Sequence, residues 1–214
     1  KMCHAHNNGA THMMSPSLAS TVVLVREQAQ TSGPPGLETL LLLRNSKLVF
    51  EGGAWVFPGG RVDECDYPPD RADLPDSHVE YLAAIKAAVR ETEEEAGICI
   101  SPGELIHIAH WTTPQGMSRR FATWFFLCPL NEPVDIVVDQ QEIHDYQWIR
   151  PDLALARHAS GEIRLPPPTA HTLQSIAGFQ SLKSLCHAMS TADIHVFPED
   201  SAHYRPVEGI CSIR

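Results

Sequence analysis

The 214 residues suffice for one domain with extensions, and 43% of them are hydrophobic, enough for a substantial core. The net charge of −10 and the isoelectric point of about 5.6 exclude a general nucleic-acid or membrane-surface binder. The chain has no excess of positive charge with which to bind a polyanion, whereas a small phosphorylated ligand needs only a few local cationic side chains or a metal ion.

The N-terminal residues and the cysteines limit the possible domain organisation and cellular compartment. Residues 1–17 lack the apolar core of a signal peptide, and we interpret them as a disordered or appended tail, with a metal-binding histidine-rich tail as the less favoured alternative. No apolar run is long enough to span a bilayer. The cysteines are scattered without a CxxC pair, which predicts reduced thiols and a cytoplasmic protein. They are Cys3, Cys65, Cys99, Cys128, Cys186 and Cys211.

The first half of the chain reads as strands, an acidic loop and one long helix. Apolar, β-branched or continuous runs predict strands at residues 20–26, 37–44 and, briefly, 55–57. An acidic, proline-bearing insert follows at about residues 63–77. The spacing of Ser77 and Glu80 predicts a capping box for a helix over residues 78–96, which Gly97 should end.

The second half predicts more strands, then helices. Strands are expected at residues 105–111, 121–130 and 145–149, and helices at 151–159 and within 169–189. From about residue 165 we expect a C-terminal extension, with 165–169 as a rigid extended strip and 192–214 adding an edge strand or a dimer contact. This order predicts a single α/β (α+β) domain over residues 18–214, a mixed β-sheet sandwiched between helices. A homodimer is left open.

The end of the long helix crowds four glutamates into six residues. At about 100° per residue, Glu91, Glu94 and Glu95 fall on one face, and Glu93 points elsewhere. Small alanines precede them on that side and allow close approach to another surface; they are Ala84, Ala87 and Ala88. Like charges at this spacing destabilise a helix by about 0.2–0.5 kcal/mol per pair, and the negative end of the helix dipole adds to the cost.

The repulsion between the carboxylates and their unfavourable interaction with the helix dipole are both offset if a divalent cation lies on this face. Mg²⁺ and Mn²⁺ are hard ions that take carboxylate oxygens and leave room for water and phosphate. On the acidic residues alone, a merely solvated helix end is an equally good interpretation. The flanking sequence decides between the two.

Residues 90–98, RETEEEAGI, resemble the C-terminal half of the Nudix box, REuxEExGu, with Thr92 a mild departure at an aliphatic position. Phe57, Pro58, Gly59 and Gly60 match the (F/L)PGG that opens the box. Asp66 stands where the standard box has glutamate, and about sixteen extra residues then separate the two halves.

Other segments are similar to the Nudix branch of coenzyme A diphosphatases, peroxisomal enzymes and their bacterial relatives, which also carry an insertion in the box. These segments are residues 40–44, 53–60, 110–114, 119–126 and 165–169. The better-defined bacterial enzymes place an arginine five residues after the position of Arg44, and here that position is Val49. The resemblance implies the Nudix fold and a small-molecule nucleotide-diphosphate substrate. Coenzyme A or an acyl derivative is the substrate that it favours.

The resemblance also implies residue roles. Glu91, Glu94 and Glu95 would bind Mg²⁺ or Mn²⁺, Arg90 would orient a carboxylate, and Glu91 or Glu94 would accept a proton. Glu142 is our candidate for a further ligand from a distant loop, against a solvated-loop alternative and the weaker rivals Asp139 and Asp145. Substrate contacts are expected from the residues Arg44, Phe57, Gly59, Gly60 and Arg120. Arg119 reads as a surface residue, and the tryptophans read as core.

Two other functions stay open at this level. ADP-ribose, NADH and nucleotide sugars are alternative substrates, and oxidised nucleoside triphosphates a weaker one. A non-catalytic Nudix-like nucleotide sensor is disfavoured because the full set of metal-binding glutamates is present and no separate DNA-binding segment is visible.

Overall fold

The computed structural model describes residues 15–28, 36–48 and 51–207, which form one mixed β-sheet and four α-helices. The strands are β1 Ser17–Glu27, β2 Leu37–Arg44, β3 Trp55–Val56, β4 Gly59–Arg61, β5 Ile106–Thr112, β6 Phe121–Leu130, β7 Ile143–Ile149 and β8 His195–Phe197. The helices are α1 Asp76–Ala96, α2 Pro151–Ala159, α3 Pro167–Ile176 and α4 Leu182–Thr191.

The sheet is built around the parallel pair β1 and β6, which stay in register from Ser17 opposite Phe121 to Arg26 opposite Leu130. The order along the sheet is β3-β2-β1-β6-β5-β8, with β4 paired to the first half of β1 and β7 paired to β2. Such central strands are covered on both faces, which explains why β1, β2 and β6 are nearly continuous apolar runs.

Alternate residues of the central strands point to two separate cores. Val22 and Trp124 belong to the core beneath α1, whereas Val23 and Phe125 belong to the core beneath α2, α3 and α4. Because side chains alternate across a strand, one sheet buries apolar residues against helices on both faces. The predicted mixed sheet between helices is confirmed.

Most predicted elements are confirmed, and β2, β6 and α2 have the predicted bounds. The capping box at Ser77 is wrong. The helix begins at Asp76 after Pro75, whose carbonyl accepts the first helical hydrogen bonds from His78 and Val79, so Ser77 lies inside the helix. Gly97 ends the helix with a φ of 70°, as predicted.

The C-terminal third differs more from expectation. The region 169–189 contains parts of two helices, and α3 already starts at Pro167, so the expected strip over residues 165–169 is extended only before that residue. Proline is favoured at the first helical position because its missing N–H has no partner there. Strand β8 confirms the edge strand, since it pairs only with β5 at the end of the sheet order in the described chain.

Two further expectations concern cysteines and membranes. The cysteines that the structure describes, Cys65, Cys99, Cys128 and Cys186, are free thiols. Across residues 15–28, 36–48 and 51–207, no helix combines the length and the apolar character needed to cross a membrane.

Candidate active site

Helix α1 lies close to the sheet because the residues beneath it are alanines. Ala84, Ala87 and Ala88 are completely buried, as their spacing predicted, and their small side chains bring the helix axis near β1 and β4. The same face, one and two turns further, carries Glu91 and Glu95. Close packing of the alanines therefore directs these carboxylates at Gly59 and Gly60, where the chain enters β4, here called the diglycine turn.

Glu95 is buried at the diglycine turn, with only 6% of its surface exposed. The Gly59 N–H donates to Glu95 Oε2 at 2.9 Å, and Arg44 Nη1 lies 3.7 Å from Oε1. Burial raises the pKa of Glu95 to about 8, and the hydrogen bond from Gly59 and the charge of Arg44 only partly oppose that rise. A buried carboxylate with incomplete compensation is suited to a cationic ligand.

Glu91 lies directly against Gly60. A Cβ atom at Gly60 would clash with Glu91 Cδ and lie 2.5 Å from both carboxylate oxygens. Only glycine leaves this space, so the second glycine of the turn makes room for the Glu91 carboxylate. Burial raises the pKa of Glu91, an effect that the hydrogen bond from Arg90 opposes.

Arg90 connects acidic residues of the insert and of the helix. Its guanidinium donates to Asp66 at 2.8 and 3.1 Å, to Glu91 at 2.7 Å and to Glu94 at 3.0 Å. It also donates to the Arg61 carbonyl at 2.9 Å. Arg90 thus links the start of the insert to the glutamates, and these charge-assisted bonds raise its own pKa.

Asp66 is the residue whose importance sequence reasoning understated. It is 1% exposed and forms a bidentate pair with Arg90. Burial raises its pKa, but Arg90 and the Asp63 N–H outweigh that effect, and the net pKa is lowered. The signal was its place six residues after Gly60, where the box carries an acid.

Glu142 lies beside the cluster through Arg44. Arg44 Nη2 is 3.5 Å from Glu142 Oε2, while its other terminal nitrogen faces Glu95. The two alternative acids accept hydrogen bonds from nearby backbone groups. Asp139 accepts from the Glu142 and Ile143 N–H groups, and Asp145 accepts from the Tyr146 N–H. Of the three acids, Glu142 is the one that the structure pairs with Arg44.

The remaining predicted substrate residues lie at different places. Phe57 is 3% exposed and packs in the core beneath α2 to α4, a structural position. Arg120 donates to the Thr113 carbonyl at 3.1 Å. It immediately precedes β6 and lies beside the start of β1, whereas Ser20, the partner of Gly60, lies several residues further along β1.

The donor set matches the preferences of a hard divalent cation. Glu91, Glu94, Glu95 and Glu142 offer only carboxylate oxygens, the ligands that Mg²⁺ and Mn²⁺ prefer. Ser20 pairs with Gly60, so its hydroxyl faces the side of Glu91, and that buried oxygen finds no hydrogen-bond partner in the described chain. Within the described ranges, no three His, Cys, Asp or Glu side chains are grouped as a ready-made cage. In their chemistry, these carboxylate oxygens would suit such an ion.

Known proteins resemble this chain in sequence. A family model described as NUDIX domain matches residues 17–167. The acyl-coenzyme A diphosphatase NUDT19 of Homo sapiens is 44% identical over 77 residues, which cover 35% of this chain and 20% of that protein. The Xenopus laevis protein of the same name is 24% identical over 273 positions, covering 87% of this chain and 69% of that protein.

Solved structures support the fold alone at this level of identity. A NUDIX hydrolase from Alicyclobacillus acidocaldarius superposes with a TM-score of 0.68 at 24% identity, covering 84% of this chain and 97% of that one. The NUDIX domain of Shewanella oneidensis NrtR, solved with ADP ribose, gives 0.52 at 16% identity, covering 78% and 90%. With the family match over residues 17–167 and both halves of the box at one site, the chain belongs to the Nudix family and is a Nudix hydrolase.

Proposed function

We propose that the protein hydrolyses, with the help of a divalent metal, the diphosphate bond of a nucleoside diphosphate linked to another group, with coenzyme A or acyl-coenzyme A as substrate. The observation that carries the proposal is the convergence of a buried carboxylate, Glu95, and a partly buried one, Glu91, on the diglycine turn. The choice of substrate is supported by relatives named acyl-coenzyme A diphosphatase.

Glu91, Glu94, Glu95 and Glu142 would hold Mg²⁺ or Mn²⁺. The chemistry that such a cation supplies when bound is neutralisation of the diphosphate and activation of water for attack on phosphorus. The side chains themselves have distinct tasks. Gly59 fixes Glu95 through its N–H, and Gly60 leaves the space in which the Glu91 carboxylate lies.

Arg90 and Glu91 are the proposed catalytic pair. Arg90 holds the Glu91 carboxylate at 2.7 Å and the Glu94 carboxylate at 3.0 Å, which limits the rotamers of both. Of the two candidate bases, Glu91 is better suited, because burial raises its pKa and a carboxylate with a higher pKa accepts a proton more readily. Glu94, with 58% of its side chain exposed, is the more accessible to an incoming cation.

Arg44 and Arg120 are the proposed phosphate contacts, because a guanidinium matches phosphate oxygens. Arg44 is better placed, since it lies between Glu95 and Glu142 and its buried Nε finds no hydrogen-bond partner in the described chain. A cytoplasmic location and a homodimer stay predictions from the sequence.

The test is a Mg²⁺- and Mn²⁺-dependent hydrolysis screen with product identification by mass spectrometry. Coenzyme A, acetyl-coenzyme A, ADP-ribose, NADH, a nucleotide sugar and a dinucleoside polyphosphate form the panel. Glu94→Gln should lose most of its turnover, whereas Glu93→Gln, a matched change at an exposed neighbour on the same helix, should keep it.

Three results discriminate. Release of 3′,5′-ADP and phosphopantetheine from coenzyme A, lost in Glu94→Gln, supports substrate and site together. Turnover of another diphosphate keeps the mechanism and discards the substrate. Nucleotide binding without any turnover favours a sensor and refutes the proposed hydrolysis.

A further inference from the structure

The acid most distant in sequence from the glutamate cluster lies on a turn whose backbone is held by several hydrogen bonds. Glu142 is exposed, and an exposed loop residue ordinarily leaves its backbone to water. Here both backbone groups of Glu142 are bonded to protein. Its N–H donates to Asp139 Oδ2 at 3.0 Å, and its carbonyl accepts from the Asn45 N–H at 2.7 Å.

Further bonds fix the residues on either side of Glu142. Asp139 Oδ1 accepts from the Ile143 N–H at 2.8 Å, and the Asn45 side-chain amide donates to the Gln141 carbonyl at 2.8 Å. Gln140 adopts a φ of 60°, a left-handed conformation that costs free energy in a non-glycine residue. Ile143 is completely buried and anchors the turn in the core beneath α1.

The pairing of β2 with β7 changes register at the same place. Leu43 pairs with Asp145 but Arg44 pairs with Ile143, so His144 is an extra residue on β7. A bulge of this kind bends a strand and changes the direction of the next side chains. It lies beside the point where the Glu142 carboxylate meets Arg44 at 3.5 Å.

We propose that Asn45 and Asp139 are positioning residues that hold Glu142 at the glutamate cluster, by bonding the backbone on both sides of it. This inference rests on the proposed function, in which Glu142 contributes to metal binding. Neither residue reaches the substrate; each acts through the orientation of Glu142. Four hydrogen bonds fix the backbone around Glu142: Asn45 donates two to backbone carbonyls, and Asp139 accepts two from backbone N–H groups.

The experiment measures Mn²⁺ binding to the full chain by electron paramagnetic resonance, alongside hydrolysis of the substrate identified above. Asp139→Ala and Asn45→Ala should each weaken Mn²⁺ binding about tenfold, because losing an outer partner of a ligand costs about 10–100-fold. Asp139→Asn retains one acceptor but turns its amide NH2 towards the other backbone N–H, so it should recover only part of the affinity. Asp145→Ala is the matched control, since it also removes an aspartate that caps a neighbouring N–H, but on Tyr146.

Non-additivity separates positioning from general loosening of the turn. In the Glu142→Gln background, Asp139→Ala should cause no further loss of Mn²⁺ affinity, because the ligand it positions is already gone. If Asp139→Ala lowers thermal stability, Asn45→Ala carries the same test through its side-chain bond to Gln141.

The outcomes of the two proposals are distinguishable. If Glu142→Gln weakens Mn²⁺ binding and both Asp139→Ala and Asn45→Ala leave it unchanged, the positioning inference is overturned while the proposed function stands. The positioning inference is likewise overturned if Glu142→Gln itself has no effect on Mn²⁺ binding. If the wild-type protein neither binds Mn²⁺ nor hydrolyses any diphosphate, the proposed function fails and the inference with it.

Discussion

Gly60 offers a clean test of the proposed active site, because one added methyl group should damage catalysis far more than stability. In Gly60→Ala the new Cβ would lie 2.5 Å from both oxygens of Glu91, whereas ordinary van der Waals contact begins at about 3.4 Å. The carboxylate must therefore move by about 1 Å. Gly60 does not have a positive φ, so alanine fits the backbone itself.

The expected magnitudes follow from which atom has to move. The clash is with the end of a flexible side chain, and Gly→Ala also restricts the unfolded chain, so the free energy of unfolding should change by less than about 1 kcal/mol. A misplacement of about 1 Å at a reacting geometry costs on the order of 10²-fold in rate. We expect kcat/KM to fall about 100-fold, equivalent to about 3 kcal/mol of transition-state stabilisation.

The assay compares kcat/KM and urea unfolding for wild type, Gly60→Ala and two matched controls. Gly103→Ala and Gly178→Ala place a Cβ where no atom lies within 4 Å, and both should keep activity. Gly60→Ala combined with Glu91→Gln should be about as slow as Glu91→Gln alone. Fully additive losses, or a large loss of stability in Gly60→Ala, would refute the assignment of its effect to Glu91.

Three further predictions concern stability. Gly59→Ala should destabilise the fold by about 3 kcal/mol in urea unfolding, because its Cβ would clash with the Ser20 carbonyl at a φ of 153°; a stable variant would contradict the close backbone approach. Asp66→Asn should lower the free energy of unfolding by about 2 kcal/mol at pH 7, less than the loss of a fully buried pair because Arg90 keeps other partners. This difference from wild type should shrink in acid, where Asp66 of the wild type is protonated. An unchanged free energy of unfolding would reject the anchoring role of Asp66. His110 is buried, and burial and the charge of His203 lower its pKa to about 4. Because the unfolded chain takes up a proton on this residue more readily, the free energy of unfolding is undiminished above about pH 6.5 and falls as the pH drops towards 4. His110→Phe should reduce the stability loss between pH 7 and 5 by about 2 kcal/mol, and an unchanged pH profile would show that His110 is not the titrating group.

The local sequence determined most of the secondary structure and the composition of the site. Continuous apolar runs predicted β2 and β6 with their observed bounds, since a strand covered on both faces needs apolar residues at every position. The helical period alone placed Glu91, Glu94 and Glu95 on one face, and the alanines before them predicted close packing that the structure confirms. The capping box failed because a serine–glutamate spacing carries no information about Pro75, whose carbonyl already starts the helix.

Only the tertiary structure decided which of these residues meet. Gly59 and Glu95 are 36 residues apart, Arg90 and Asp66 are 24 apart, and Asn45 and Gln141 are 96 apart. Each contact depends on the register of β1 with β4, of β2 with β7, and on the distance at which alanines seat α1 against the sheet. Local propensity contains none of these quantities, because they result from burying both faces of one sheet at once. For that reason the sequence named the glutamates and marked Asp66 as an acid of the box, while only the fold paired Asp66 with Arg90 and bonded Asn45 and Asp139 to the backbone around Glu142.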